Sequence, residues 1–281
     1  MNWPAVLRII RPINCGMIGF AVIVGEFVSK PPVFPVLQTL LGFSTGFFVC
    51  AYSMVVNDVY DVEVDGVNQP DRPIPSGQLS VDGAWRLSIV LLVAGMACSL
   101  LSLSVAAVVI ALLYAFLSWL YSARAKKAGL AGNLIVASSL AIPFIYGGVV
   151  SGGLVFSSLL LMMAFTSFFS GVGREVVKAM ADIEGDAKRG VASVARSSGL
   201  KVAGFVGSAF FLLAVVTSWI PLILGIANQV YSVGVLVPDA IFVYLAVSTT
   251  RDHGQENAHR VKQRALLGML VGLFVFVGGA F

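Results

Sequence analysis

Apolar residues run along this chain in blocks of about 20, separated by short polar or charged stretches. Strict alternation, the mark of a half-buried strand, is absent, and the blocks are apolar all round rather than on one stripe. Blocks of this length predict membrane-spanning helices. They fall near residues 13–28, 34–56, 84–101, 105–121, 130–150, 154–172, 202–219, 230–248 and 265–281. Residues 84–121 form one run of 38, which as a single helix would be about 57 Å long, too tall for a bilayer. A break is therefore expected around 99–104. The stretch 219–231, with Pro221, Gly225 and Asn228, suits a loop, an interfacial helix or part of a span. Arg8 and Arg11 before the first block resemble the start of a signal peptide. No small-residue cleavage site follows, so this block reads as a permanent first span.

Composition strengthens the membrane reading. Charged residues are 11% of the 281 and apolar ones 58%, whereas a soluble domain carries about 25% charged residues. The fold class expected is an all-α, multi-span transmembrane helical bundle of about nine helices, in one domain over 1–281. The N-terminal segment and the loops after even-numbered spans hold every Lys and Arg except Lys30 and Arg86, the latter at the start of the third block beside one of those loops. That bias places those loops in the cytoplasm of a multi-pass cell-membrane protein, with the carboxyl terminus outside. It also explains the net charge of +4 without a nucleic-acid partner. Cys15, Cys50 and Cys98 lie in apolar runs with no paired spacing, and His253 and His259 sit among loop charges. Neither type suggests a metal or a nucleophile.

The acids are not explained by topology. Nine of the 14 lie in two stretches, 58–71 and 175–186. Asp58, Asp61 and Asp65 stand at i, i+3 and i+7, with Asn57 one turn from Asp61, so a continuing helix would put the carboxylates on one face. Glu175, Lys178, Asp182 and Asp186 fall along a similar stripe. Each stretch follows an even-numbered span, and the local patterns match. This suggests two four-helix units, about 1–125 and 126–250, with a final span at 263–281. Like charges stacked this way repel, and carboxylates on two facing helix ends suit a hard cation such as Mg²⁺. No His or Cys lies near either stretch, which argues against zinc or iron. Arg72, in a proline-pinned loop, and Lys126, Lys178 and Arg189 lie beside the acids, where they could meet a leaving group whose negative charge grows. Arg124, Lys127, Arg251, Arg260, Lys262 and Arg264 are best read as topological anchors.

Asn57-Asp58-x-x-Asp61-x-x-x-Asp65, together with Asp182-x-x-x-Asp186 and the loop 68–77, resembles the UbiA superfamily of intramembrane prenyltransferases over the whole chain. The resemblance implies a helical bundle whose central cavity opens to lipid, with two Asp motifs that bind Mg²⁺ and a polyprenyl diphosphate under a cytoplasmic cap of loop helices. It implies that Asn57, Asp61, Asp65, Asp182 and Asp186 are metal ligands, directly or through water, and that Asp58 is a ligand or a partner of one. Arg72 and Lys126 become diphosphate contacts with Tyr121 nearby. Asp58, Asp65, Arg72, Lys126 and Tyr121 then bear on catalysis. Asn14 matches a cavity-lining polar residue, although a helix–helix hydrogen bond would suit it equally. Residues 173–178 resemble the archaeal digeranylgeranylglyceryl phosphate synthases. That likeness implies geranylgeranyl diphosphate as donor and the lipid-like acceptor geranylgeranylglyceryl phosphate, whose phosphate Arg174, Lys178 and Arg189 would meet. An aromatic acceptor is the alternative within the family. A cation-coupled transporter is the alternative outside it, with Asp239 the one acid deep enough to serve.

Overall fold

The computed structural model describes residues 3–29, 36–152, 157–188 and 190–280. Its helices are α1 (Trp3–Ile10), α2 (Pro12–Val28), α3 (Val36–Tyr60), α4 (Val62–Asn68), α5 (Val81–Leu101), α6 (Val105–Ala123), α7 (Leu130–Ser151), α8 (Ser158–Ala181), α9 (Ile183–Lys188), α10 (Val194–Ile223), α11 (Gln229–Gly234), α12 (Leu236–Arg251) and α13 (Gln255–Ala280). Among the described residues, eight helices are long and apolar enough to cross a membrane, and nine if the bent pair α1–α2 counts as one span. Lipid takes the place of a polar coat: Ile13, Leu103 and Val105 are all at least 80% exposed.

Local chemistry sets the helix ends. Ser80, Ser104 and Ser157 cap α5, α6 and α8 by accepting bonds from amides three residues on, a role that short hydroxyl side chains fill well. The long run 84–121 breaks between Leu101 and Val105, as its length demanded, with Leu103 at φ 58°. Between α1 and α2 the chain bends by 49°. Arg11 there is left-handed (φ 50°) and Pro12 opens α2, a position where proline's fixed φ suits the helix and its missing N–H costs nothing.

Several boundaries differ from the sequence expectation. α10 begins at Val194, kinks at Gly199, and continues through Pro221 to Ile223. An Asn228-capped helix, α11, follows it. α13 starts at Gln255, ten residues before its apolar block, because its charged first turns continue the helix beyond the lipid-facing part. The block boundary expected at 34 and the residues Lys30 and Arg189 lie outside the described residues.

Small residues let the helices approach. A Cβ added at Gly25 would collide with the Phe144 carbonyl, and one at Gly147 with that of Val22, so α2 and α7 touch backbone to backbone. Gly173 and Gly207 do the same for α8 and α10, where added Cβ atoms would stand 2.7 Å from Phe211 and 2.8 Å from Val177. Close packing of this kind drives association where lipid offers no hydrophobic gain. Two of the buried clusters flank the cavity, one around Val55, Val56 and Ile9, the other around Val176, Phe211 and Leu245.

Candidate active site

α3 and α8, the long helices that carry the acids, end alike. α3 stops at Tyr60, Asp61 leaves helical geometry (φ −95°, ψ 1°), and α4 follows at once. α8 stops at Ala181, Asp182 turns in the same way (φ −111°, ψ 23°), and α9 follows. The continuous acidic helix expected from spacing is therefore a helix, a break at the aspartate, and a short helix. Asp61, Asp65, Asp182 and Asp186 all line one cavity of about 600 Å³. The deeper wall is largely apolar, including Val49, Ile110, Leu140, Phe242, Met269 and Phe276.

Basic side chains pair with acids at and beside the cavity. Arg72 Nη1 lies 2.5 Å from Asp65 and 3.3 Å from Asp58, while its Nε donates to Gln69 at 2.8 Å. Lys126 pairs with Asp61, and Asn57 Nδ2 donates to Asp61 at 3.1 Å. Glu175 accepts from Arg174 Nη1 at 2.8 Å and from Lys178 Nζ at 2.7 Å. Lys262 lies 3.3 Å from Asp182. Asn14, Asn57, Arg72, Tyr121, Lys126, Arg174 and Lys178 all line the cavity beside the aspartates, so these candidates come together. Asp58 is the exception. Its carboxylate turns into the wall, shared by Arg11 at 2.6 Å and Arg72 at 3.3 Å, because two guanidinium groups hold it there. It reaches the site through those arginines.

Three residues were missed by sequence reasoning. Arg11 looked like part of a charged leader and Lys262 like an anchor; the first holds Asp58 and the second Asp182. Their partners stand 47 and 80 residues away, which no local pattern could announce. Glu175, only 4% exposed, orients two cations. The signal was available, since a buried acid beside Arg and Lys has to be paired. Asp239 lies buried in the first turn of α12, just after the break between α11 and α12, and accepts from Ser218 at 2.9 Å and Trp219 Nε1 at 2.8 Å, joining α12 to α10. Among the described residues no three carboxylate, thiolate or imidazole groups converge as a ready metal site. The donors facing the cavity are oxygens from two helix ends, which fit Mg²⁺, an ion that takes one or two carboxylates and fills its shell with water and phosphate oxygens.

Two acidic helix ends stand over a largely apolar cavity, and residues 18–278 match the UbiA prenyltransferase family. The chain belongs to the UbiA prenyltransferase family. It is an intramembrane prenyltransferase of lipid biosynthesis. Similar relatives include the digeranylgeranylglyceryl phosphate synthases of Archaeoglobus fulgidus, 37% identical over 94% of this chain and 91% of the relative, and of Methanocaldococcus jannaschii, 33% identical over 98% and 95%. A solved structure described as a digeranylgeranylglyceryl phosphate synthase is 32% identical, with a TM-score of 0.80 over 99% of this chain and 98% of that one. A UbiA homologue from Archaeoglobus fulgidus, solved bound to GPP and Mg²⁺, shares the fold at 17% identity, with a TM-score of 0.67 over 97% of this chain and 99% of that one.

Proposed function

We propose that this enzyme transfers a geranylgeranyl group from geranylgeranyl diphosphate to the free hydroxyl of geranylgeranylglyceryl phosphate, with its charged cavity end in the cytoplasm. The observation that carries the reading is one cavity with two aspartate breaks at its mouth and an apolar wall beyond. The near-full-length likeness to archaeal digeranylgeranylglyceryl phosphate synthases supports the choice of substrates. Asp61, Asp65, Asp182 and Asp186, with Asn57, would hold Mg²⁺, which supplies charge stabilisation to the departing diphosphate.

The remaining chemistry belongs to the chain's own residues. Arg72 and Lys126 line the mouth and meet the diphosphate oxygens as the allylic C–O bond breaks and its electron pair leaves with the diphosphate. Tyr121, two residues before the end of α6, lines the same cavity. The apolar wall keeps water from the allylic cation. The acceptor oxygen forms the ether bond, and its proton passes to the released diphosphate. No side-chain nucleophile is required. Arg174 and Lys178, held by Glu175, provide cations for an acceptor phosphate. The same helix–break–helix geometry at Asp61 and Asp182 supports two repeated four-helix units.

Incubating the purified enzyme with labelled geranylgeranyl diphosphate and a mixture of geranylgeranylglyceryl phosphate and 4-hydroxybenzoate tests the acceptor. The expected product is the digeranylgeranyl ether. A prenylated aromatic as main product would overturn the acceptor and leave the prenyltransferase assignment standing.

A further inference from the structure

Three buried polar atoms have no hydrogen-bond partner among the described residues and belong to side chains that line the cavity: Asn133 Nδ2, Arg174 Nε and Ser193 Oγ. Buried polar groups are nearly always bonded, so orphans gathered in one wall ask for a ligand. They come from three elements. Asn133 lies at the start of α7, Arg174 on α8, and Ser193 just before α10. The packing brings them together. Gly129, preceding α7, lies so close to the 192–193 segment that a Cβ there would collide with the Ala192 carbonyl and stand 3.7 Å from Ser193 Cα. The Ala192 amide donates to the Lys127 carbonyl at 3.1 Å. α7 and α8 run antiparallel, with Gly171 packed on Ala137, and this register sets Arg174 across from Asn133.

Ser193 behaves unlike its counterparts. Ser80, Ser104 and Ser157 occupy the same position before a helix, and each accepts from the amide three residues on, at 3.0, 3.3 and 3.2 Å. Ser193 has the same extended backbone and is 2% exposed, yet its hydroxyl caps nothing. Gly129 offers α7 no side-chain cap either, so the positive end of a 22-residue helix adds its amides to the same wall. Arg174 spends Nη1 on Glu175, and its buried Nε has no partner among the described residues. Lys126 and Lys178 add positive charge nearby. Hydroxyl, amide and guanidinium donors at an uncapped helix start form a set suited to a phosphate monoester that needs no metal.

We propose that Asn133, Arg174 and Ser193, at the amino end of α7, form a second phosphate subsite, separate from the paired aspartates, that holds the headgroup of the acceptor lipid. This rests on the acceptor reading above and deepens it. In a prenylglyceryl phosphate the free hydroxyl sits on the carbon next to the one bearing the phosphate, so fixing the phosphate also fixes the nucleophile.

The test is equilibrium binding of labelled geranylgeranylglyceryl phosphate, and separately of geranylgeranyl diphosphate, to the full chain in detergent. Ser193→Ala should weaken acceptor binding about tenfold and Ser193→Thr should restore it, since one donor to a charged group is removed and returned. Asn133→Asp should weaken it by about a hundredfold, by placing a carboxylate against the phosphate. That substitution is isosteric and favourable at a helix start, so a loss of binding cannot be put down to misfolding. Donor affinity should stay within about twofold in all three variants. Unchanged acceptor affinity in Ser193→Ala and Asn133→Asp would overturn the subsite. An equal loss for donor and acceptor would overturn it too, by assigning these residues to the diphosphate. A wild-type enzyme that does not bind the acceptor would overturn the acceptor reading itself.

Discussion

Arg72 offers the most discriminating perturbation, because its guanidinium does three things at once. It bonds Asp65 at 2.5 Å, reaches Asp58 at 3.3 Å and holds Gln69 through Nε at 2.8 Å. The two carboxylates are almost fully buried, with side-chain exposures of 5% for Asp58 and 3% for Asp65. Arg72→Lys keeps the positive charge and removes the planar fork, so it separates geometry from charge. An ammonium can follow one carboxylate but cannot also satisfy Gln69 and the second acid. At least one charge-assisted hydrogen bond is lost, worth about 1.5–3 kcal/mol. Asp58 keeps Arg11, so the fold should survive. If the fork also sets where the diphosphate lies, the same energy appears in the barrier, and about 2.7 kcal/mol is a hundredfold in rate. The assay is single-turnover release of labelled diphosphate at saturating Mg²⁺, with circular dichroism as a control for folding. Arg72→Lys should lose about a hundredfold and Arg72→Ala about tenfold more. A lysine variant within about threefold of wild type would show that charge alone matters and refute the geometric argument.

The other predictions follow from the same contacts. Asp61→Asn and Asp186→Asn should each abolish turnover in a folded, membrane-inserted protein, because each removes charge from the expected Mg²⁺ donor set; near-normal activity in both would sink that role. Gly147→Ala should lower the melting temperature in detergent by destabilising the α2–α7 contact by about 1–3 kcal/mol, since its methyl would meet the Val22 carbonyl; an unchanged melting curve would contradict the close approach. With the native cysteines replaced, Cys introduced at Gln78, next to α5 at the acidic end, should react with an impermeant thiol reagent only in inside-out vesicles. Cys at Ile226, between α10 and α11, should do the reverse, and labelling of both from one side would overturn the orientation.

Helix count, membrane setting and family were legible in the sequence because each rests on local information. Apolar runs announce spans by length alone, and 84–121 had to break because no bilayer could hold it. The Asp motifs were legible because acids are too costly in so apolar a chain to stand in repeated stripes without purpose. What could not be read was pairing between distant segments. Arg11 looked like part of a charged leader and Lys262 like an anchor until the fold brought them to Asp58 and Asp182. Helical spacing put Asp58 on the face of Asp61 and Asp65, yet it turned into the wall. The break at Asp61 and the pull of two arginines are tertiary facts. Ser193 carries the same lesson: by sequence it is one more serine before a helix. Only the meeting of α7, α8 and the 190–193 segment leaves its hydroxyl without a partner in the cavity wall. Sequence fixes which groups a chain owns and how its nearest neighbours are spaced, whereas the burial and counter-charge that decide a polar group's role come from residues dozens of positions away.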